Sequence, residues 1–213
     1  MGAELEFYIH GDIKLNLLEQ RINCEIKKER GENQYEINIK PSCNIQEYAE
    51  KIKKIREDII LHTEALGAIA DFTSKPFPDD YGSSMHIHLN FLEDKNNDIE
   101  KYAEILCHYM TSSLDYFLPS PKDYKRLDSN FMAPTHICYG GNNRTAAIRI
   151  PDSAPKRLEH RLPSANANSY NVLYMILESI RKGLESPKII TPASKIFGNS
   201  FDAQYSLQRI IVK

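Results

Sequence analysis

A chain of 213 residues with 41% hydrophobic residues, 26% charged residues and a net charge of −2 has enough apolar material for a core. It lacks the basic excess that favours nucleic acid or an anionic membrane surface. No apolar run is long enough to span a bilayer, and the acidic start MGAELEF is no signal peptide, so a cytoplasmic protein is expected.

The segment AELEFYI, residues 3–9, reads as a strand. Glu4 and Glu6 are two apart and share one face, with Leu5 and Phe7 on the other. Two close carboxylates raise each other's pKa unless a cation lies between them, so the pair makes a half-site for a hard cation such as Mg²⁺. The same pattern also describes an exposed acidic strand. Further on, Gly31 and Asn33 mark a turn, and Gln34–Ile39 alternates like a strand. A hairpin there would bring Glu29 and Glu36 together.

Residues 41–67 carry the clearest helical pattern. Asn44 is the expected N-cap with Glu47 three residues on, Tyr48, Ile52, Ile55 and Ile59 form the stripe, and Gly67 suits the end. A Pro-, Gly- and Ser-containing loop then leads into a strand over 85–91. His86, His88 and Asn90 share one face of it. A second amphipathic helix is expected from Asp98 to Phe117, with Ile99, Tyr102, Leu106, Met110 and Leu114 inward, closed by Pro119 and Pro121. A loop bearing Arg126 follows, then a short strand over 135–139. Asn143–Arg161 predicts two strands joined by a loop containing Pro151 and Pro155. In the second of these strands Arg157, Glu159 and Arg161 share one face, and Leu158, His160 and Leu162 the other. The excess positive charge suits a phosphate or carboxylate, which an arginine fork binds in a bidentate manner. A solvated, charged edge strand would show the same alternation. A third helix is expected after Asn168, with Val172, Ile176, Ile180 and Leu184 toward the core, and a loop-rich tail closes the chain. Cys24, Cys43, Cys107 and Cys138 form no CxxC pair, which excludes a zinc ribbon and fits reduced thiols.

Several of these segments occur in one order: GAELEF, NQYEI, TSKPF, GSSMHIHLNF, YKRL, APTHICYGGNNRTAAIRIP, RLEHRLPSANANSY and GNSFDAQY. Together they resemble the catalytic domain of the glutamine synthetase family, which includes γ-glutamyl-polyamine ligases, over almost the whole chain. The resemblance implies an α+β fold, a curved and largely antiparallel sheet with helices packed on its outer face, and residues 1–213 as one shortened catalytic domain. It implies ATP and Mg²⁺ or Mn²⁺ as cofactors, with glutamate, or a similar carboxylate, and an amine as substrates. One cation would take Glu6, Glu29 and Glu36, and the other Glu4, His86 and Glu159. Arg144, Arg149 and Arg157 match arginines that clamp the nucleotide phosphates and the transferred phosphoryl group. Arg126 and Arg161 match those that hold glutamate, helped by the Gly82 loop, and His88 matches a residue near the nucleotide phosphates.

The chain also departs from the family pattern. Met132 stands where the flap before Ala-Pro normally has a glutamate that shields the intermediate and helps to deprotonate ammonium. Tyr81 stands where an asparagine usually precedes the glycine of the GSxMHxH motif. The family's N-terminal β-grasp domain completes a neighbouring subunit's site in a ring, and with Met1 opening the first strand segment its counterpart is expected to be missing. The resemblance therefore implies weak ammonia use, and either a small homo-oligomer or a complementing subunit as partner.

Overall fold

The computed structural model describes residues 1–91, 98–187 and 195–212. The strands are β1 (Gly2–His10), β2 (Lys27–Lys28), β3 (Gln34–Ile39), β4 (Ile69–Asp71), β5 (Met85–Leu89), β6 (Tyr139–Gly140), β7 (Ile148–Arg149), β8 (Leu158–His160) and β9 (Lys195–Ile196). The α-helices are α1 (Leu15–Ile22), α2 (Ile45–Glu64), α3 (Ile99–Phe117) and α4 (Ser169–Glu185). Among the described residues the strands form one nine-stranded sheet in the order β2-β3-β1-β5-β8-β7-β6-β9, with β4 paired to β1 off this path. Pairing is antiparallel except where β6 meets β7 and β9. The architecture is the expected α+β arrangement with a largely antiparallel sheet.

Alternation divides the sheet into two faces. Leu5, Phe7, Ile37, Met85, Ile87 and Leu158 are fully buried on one of them. They join Tyr48, Ile52 and Ile59 of α2, Leu106 and Met110 of α3, and Val172 and Ile176 of α4 in one hydrophobic cluster. Each such side chain contributes about 1.5–3 kcal/mol on burial, so this layer holds the strands in register. The charged side chains of the same strands are left on the opposite face, while His160 of β8 is buried with Leu158 against Phe117. The helix starts are capped as their sequences require. Asn44, Asp98 and Asn168 each accept a hydrogen bond from the backbone N–H three residues on.

Several elements differ from expectation. Helix α1 was not anticipated; it is two turns long and buries only Leu18, so its periodicity is too brief to stand out. The strand expected over 135–139 is Tyr139–Gly140, and His136 makes an isolated bridge to Arg209. Leu184 does not face the core: it is 42% exposed. The inward position in that turn belongs to Gly183, where an added Cβ would lie 2.5 Å from Ile105, so close approach of α3 and α4 excludes a side chain there. The tail contributes β9, and the residues just before it lie outside those described. Strand β8 is no solvated edge, since β5 and β7 flank it.

Candidate active site

Strand register assembles the polar face. Glu6 of β1 lies opposite Glu36 of β3, and Glu4 of β1 lies opposite His86 of β5. His88 lies opposite Glu159 of β8, which in turn lies opposite Arg149 of β7. Directly opposed residues on one sheet face bring their Cβ atoms within about 4.5–5.5 Å, so five strands converge on one patch.

Among the described residues, Glu4, His86 and Glu159 are the set of three acidic, histidine or cysteine side chains whose ligand atoms lie within 4.8 Å of one another. His86 Nδ1 is 3.4 Å from Glu4 Oε2 and 3.6 Å from Glu159 Oε1. Glu159 is 1% exposed. Burial alone would raise its pKa, but His86, Arg161 and Arg149 overcome that and hold the carboxylate down at about 2. Arg161 Nη1 donates to Glu159 Oε1 at 2.5 Å, and Arg149 Nη1 donates to Oε2. Arg149 is held in turn by Asn142, whose Oδ1 accepts from its Nε at 3.1 Å and from its Nη2 at 2.5 Å.

Glu6, Glu29 and Glu36 line the adjoining cavity with Glu4, His86, Arg126, Arg144 and Arg161. They are not gathered as tightly as the first three. Burial is the main force raising the Glu36 carboxyl to about 8, with Glu4, Glu6 and Glu29 adding repulsion. Burial and Glu6 raise Glu29 as well. Glu4 is shifted the other way: burial opposes ionisation, yet contact with His86 and His88 lowers its pKa. This donor set fits a hard divalent cation, because oxygen ligands and one imidazole crowd together with carboxyl protons to displace.

The arginines divide into two groups. Arg126, Arg144 and Arg161 line the acidic cavity together with Met132 and Gly82. Arg157 and His88 line a second cleft beyond Glu4, with Asn38, Pro41 and Asn90. There Arg157 Nε donates to His88 Nδ1 at 3.2 Å and its Nη1 to Ser153 O at 3.0 Å. His88 Nε2 is 3.0 Å from Glu4 Oε1, without the alignment of a hydrogen bond. Glu4 borders both spaces. Arg126 is 3% exposed, and its Nη2 donates to Arg161 O at 2.8 Å and also to Leu162 O. Burial lowers its pKa to about 10. The buried Nε atoms of Arg126 and Arg161 have no hydrogen-bond partner, which leaves donors for an anionic ligand. Arg144 is exposed and makes no ion pair or hydrogen bond among the described residues.

Gly82 fits for a steric reason. A Cβ there would sit 2.5 Å from Arg126 Cβ and 2.8 Å from Ser74 O. Gly82→Ala is expected to lose about 1–3 kcal/mol through overpacking, read from urea unfolding. Sequence reasoning passed over two polar groups of the site. Asn142 gave no signal. Ser84 did, because it lies two residues before His86 and alternation puts both on one face.

The fold is an α+β domain whose open sheet face sets carboxylates and an imidazole beside buried arginines. The family model described as glutamine synthetase, catalytic domain, matches residues 8–210, and the chain belongs to that family. Gamma-glutamylputrescine synthetase PuuA of Escherichia coli (strain K12) is 31% identical over 172 residues, covering 74% of this chain and 36% of that protein. Glutamine synthetase of Pseudomonas aeruginosa is 31% identical over 184 residues, covering 79% of this chain and 39% of that protein. The chain thus spans well under half the length of these relatives. The solved structure titled GmaS/ADP complex superposes with a TM-score of 0.80 at 22% identity, covering 99% of this chain and 60% of that one, which shows a shared fold. No helix among the described residues is long and apolar enough to cross a membrane.

Proposed function

We propose that this chain is the catalytic part of an ATP-dependent ligase that joins an amine to glutamate or a similar carboxylate, with poor use of ammonia. The observation that carries the proposal is the Glu4–His86–Glu159 cluster within 4.8 Å, adjoining a cavity lined by Arg126, Arg144 and Arg161. A carboxylate is a poor acylating group because its leaving group would be oxide. ATP phosphorylates it to an acyl phosphate, releasing ADP, and an amine then attacks the acyl carbon and displaces inorganic phosphate.

In this reading Glu4, His86 and Glu159 hold one Mg²⁺ or Mn²⁺, and Glu6, Glu29 and Glu36 hold another. Bound cations supply neutralisation of two anions forced together. Arg126 and Arg161 hold the amino-acid substrate, with Gly82 keeping its loop against Arg126. Arg144 and Arg149 stabilise the transferred phosphoryl group, and Arg157 and His88 bind nucleotide phosphates from the second cleft. Met132, in the cavity wall, accepts no proton and gives an ammonium ion no anionic partner. A substituted amine packs against it better, and the name of the E. coli relative specifies such an amine.

The test is phosphate release by the purified chain with MgATP, glutamate and a panel of amines, alongside Mn²⁺ titration. The expected result is Mn²⁺ and nucleotide binding at up to millimolar levels, slow glutamate-dependent phosphate release, and little glutamine from ammonium. Robust glutamine formation by the chain alone would overturn the ammonia part, and failure to bind MgATP would overturn the whole. Met132 also favours a second reading, a non-catalytic nucleotide- and metal-binding subunit that partners a full-length relative or its own copies. Binding without glutamate-dependent phosphate release would select it.

A further inference from the structure

The bonds around Ser84 assign a role that the cavity lining does not reveal. Ser84 is 2% exposed and directly precedes β5, with its carbonyl accepting from the backbone N–H of Glu6 in β1 at 3.0 Å. Its Oγ is 2.7 Å from Glu6 Oε2 and 2.7 Å from His86 Nε2, and its backbone N–H donates to the same Glu6 oxygen at 2.8 Å. A hydroxyl carries one proton, and an ionised carboxylate can only accept. The hydroxyl proton therefore goes to Glu6, and Oγ must accept from His86. That places a proton on Nε2 and turns Nδ1 toward Glu4 and Glu159, 3.4 and 3.6 Å away.

We propose that Ser84 is a positioning residue: it fixes His86 as the Nε2–H form with Nδ1 as the ligating atom, and it links Glu6 of one cation set to His86 of the other. An imidazole ligand commonly donates its second N–H to a carboxylate, directly or through another group, and here the serine hydroxyl is that group. Both cation sets are then coupled through one hydroxyl. The proposal rests on the metal reading above.

The experiment uses Mn²⁺ as the binding probe, followed by electron paramagnetic resonance, and ¹⁵N-labelled histidine NMR of the metal-free chain. Ser84→Ala keeps the backbone bond that holds Glu6 and deletes only the hydroxyl. The expected result is about ten- to hundredfold weaker Mn²⁺ binding. The slowly exchanging, hydrogen-bonded Nε2 proton of His86 should be seen in the wild type and lost in the variant. Ser84→Thr, which keeps the hydroxyl, should restore both. Unchanged Mn²⁺ affinity in a folded Ser84→Ala chain overturns the proposal, as does weaker binding with the Nε2 signal intact. If Ser84→Ala does not fold, the wild type decides alone: absence of a protected Nε2 proton overturns the assignment. A wild type that shows this proton but binds no Mn²⁺ removes the metal reading and leaves Ser84 only as the group that orients His86.

Discussion

Glu159→Ala should destabilise the chain by about 3–5 kcal/mol and abolish Mn²⁺ binding at the Glu4–His86–Glu159 cluster. The stability loss comes from the partners left behind. Arg149 and Arg161 both pair with this carboxylate, and their side chains are 13% and 8% exposed. Without Glu159 two guanidinium groups and His86 face one another in a poorly solvated region. Asn142 still holds Arg149, but it carries no charge. Urea unfolding reads the first effect and a Mn²⁺ titration the second. Glu159→Gln should lie between, since the amide oxygen still accepts one hydrogen bond. The same pair predicts the acid limb. The folded carboxyl sits at about 2 against an ordinary 4.5. A depressed folded value means its contribution is fully present above 4.5 and is lost as pH falls toward 2. Glu159→Ala should therefore show a flatter fall in stability over that window. A variant as stable as the wild type would mean that β8 does not carry this buried pair.

Where another chain completes the amine site, Met132→Glu should raise amide formation from ammonium by about ten- to hundredfold relative to phosphate released without product. Met132 lines the cavity, as do Ala133 and Arg144. A hydrogen bond to a charged group contributes roughly 1.5–3 kcal/mol, which is the gain an ammonium ion would find in a carboxylate there. The backbone already accepts the change: Met132 has φ of +57°, a left-handed conformation equally strained for either side chain. The measurement is the ratio of glutamine to phosphate with glutamate, MgATP and ammonium. An unchanged ratio, with nucleotide binding intact, would place the barrier to ammonia elsewhere in the site. Use of bulkier amines should fall in the same variant, because the apolar wall is gone.

The residues sort by how local their signal is. Alternation in β1, β5 and β8 correctly put Glu4 with Glu6, His86 with His88, and Glu159 with Arg157 and Arg161, because side-chain direction in a strand depends only on parity. The same rule put Leu158 and His160 together on the other face, and the fold buries both, at 0% exposed. Where an element is short, local signal failed: α1, β9 and the true position of β6 were missed. Leu184 was misplaced because helical spacing says which side faces in, not how near the next helix comes. The ordered motifs carried the family and the fold class beyond what periodicity alone supports.

From the sequence alone came the three long helices, the Asn44 cap of the first, and the faces on which the charged residues lie. Those follow from propensity, capping chemistry and period, which act within a few residues. Tertiary structure decided the neighbours. Register between β1, β5, β8 and β7 brought Glu4, His86, Glu159 and Arg149 together from positions up to 155 residues apart. It sent Arg157 and His88 to a different cleft from Arg161, although Arg157 and Arg161 share a strand face. It also set the charge states: the same residue type is held at about 2 at Glu159 and raised to about 8 at Glu36. The reason is that pairing partners and desolvation are non-local. A carboxylate's pKa is fixed by which arginines and which carboxylates the folded sheet places beside it, and spacing along the chain does not contain that distance.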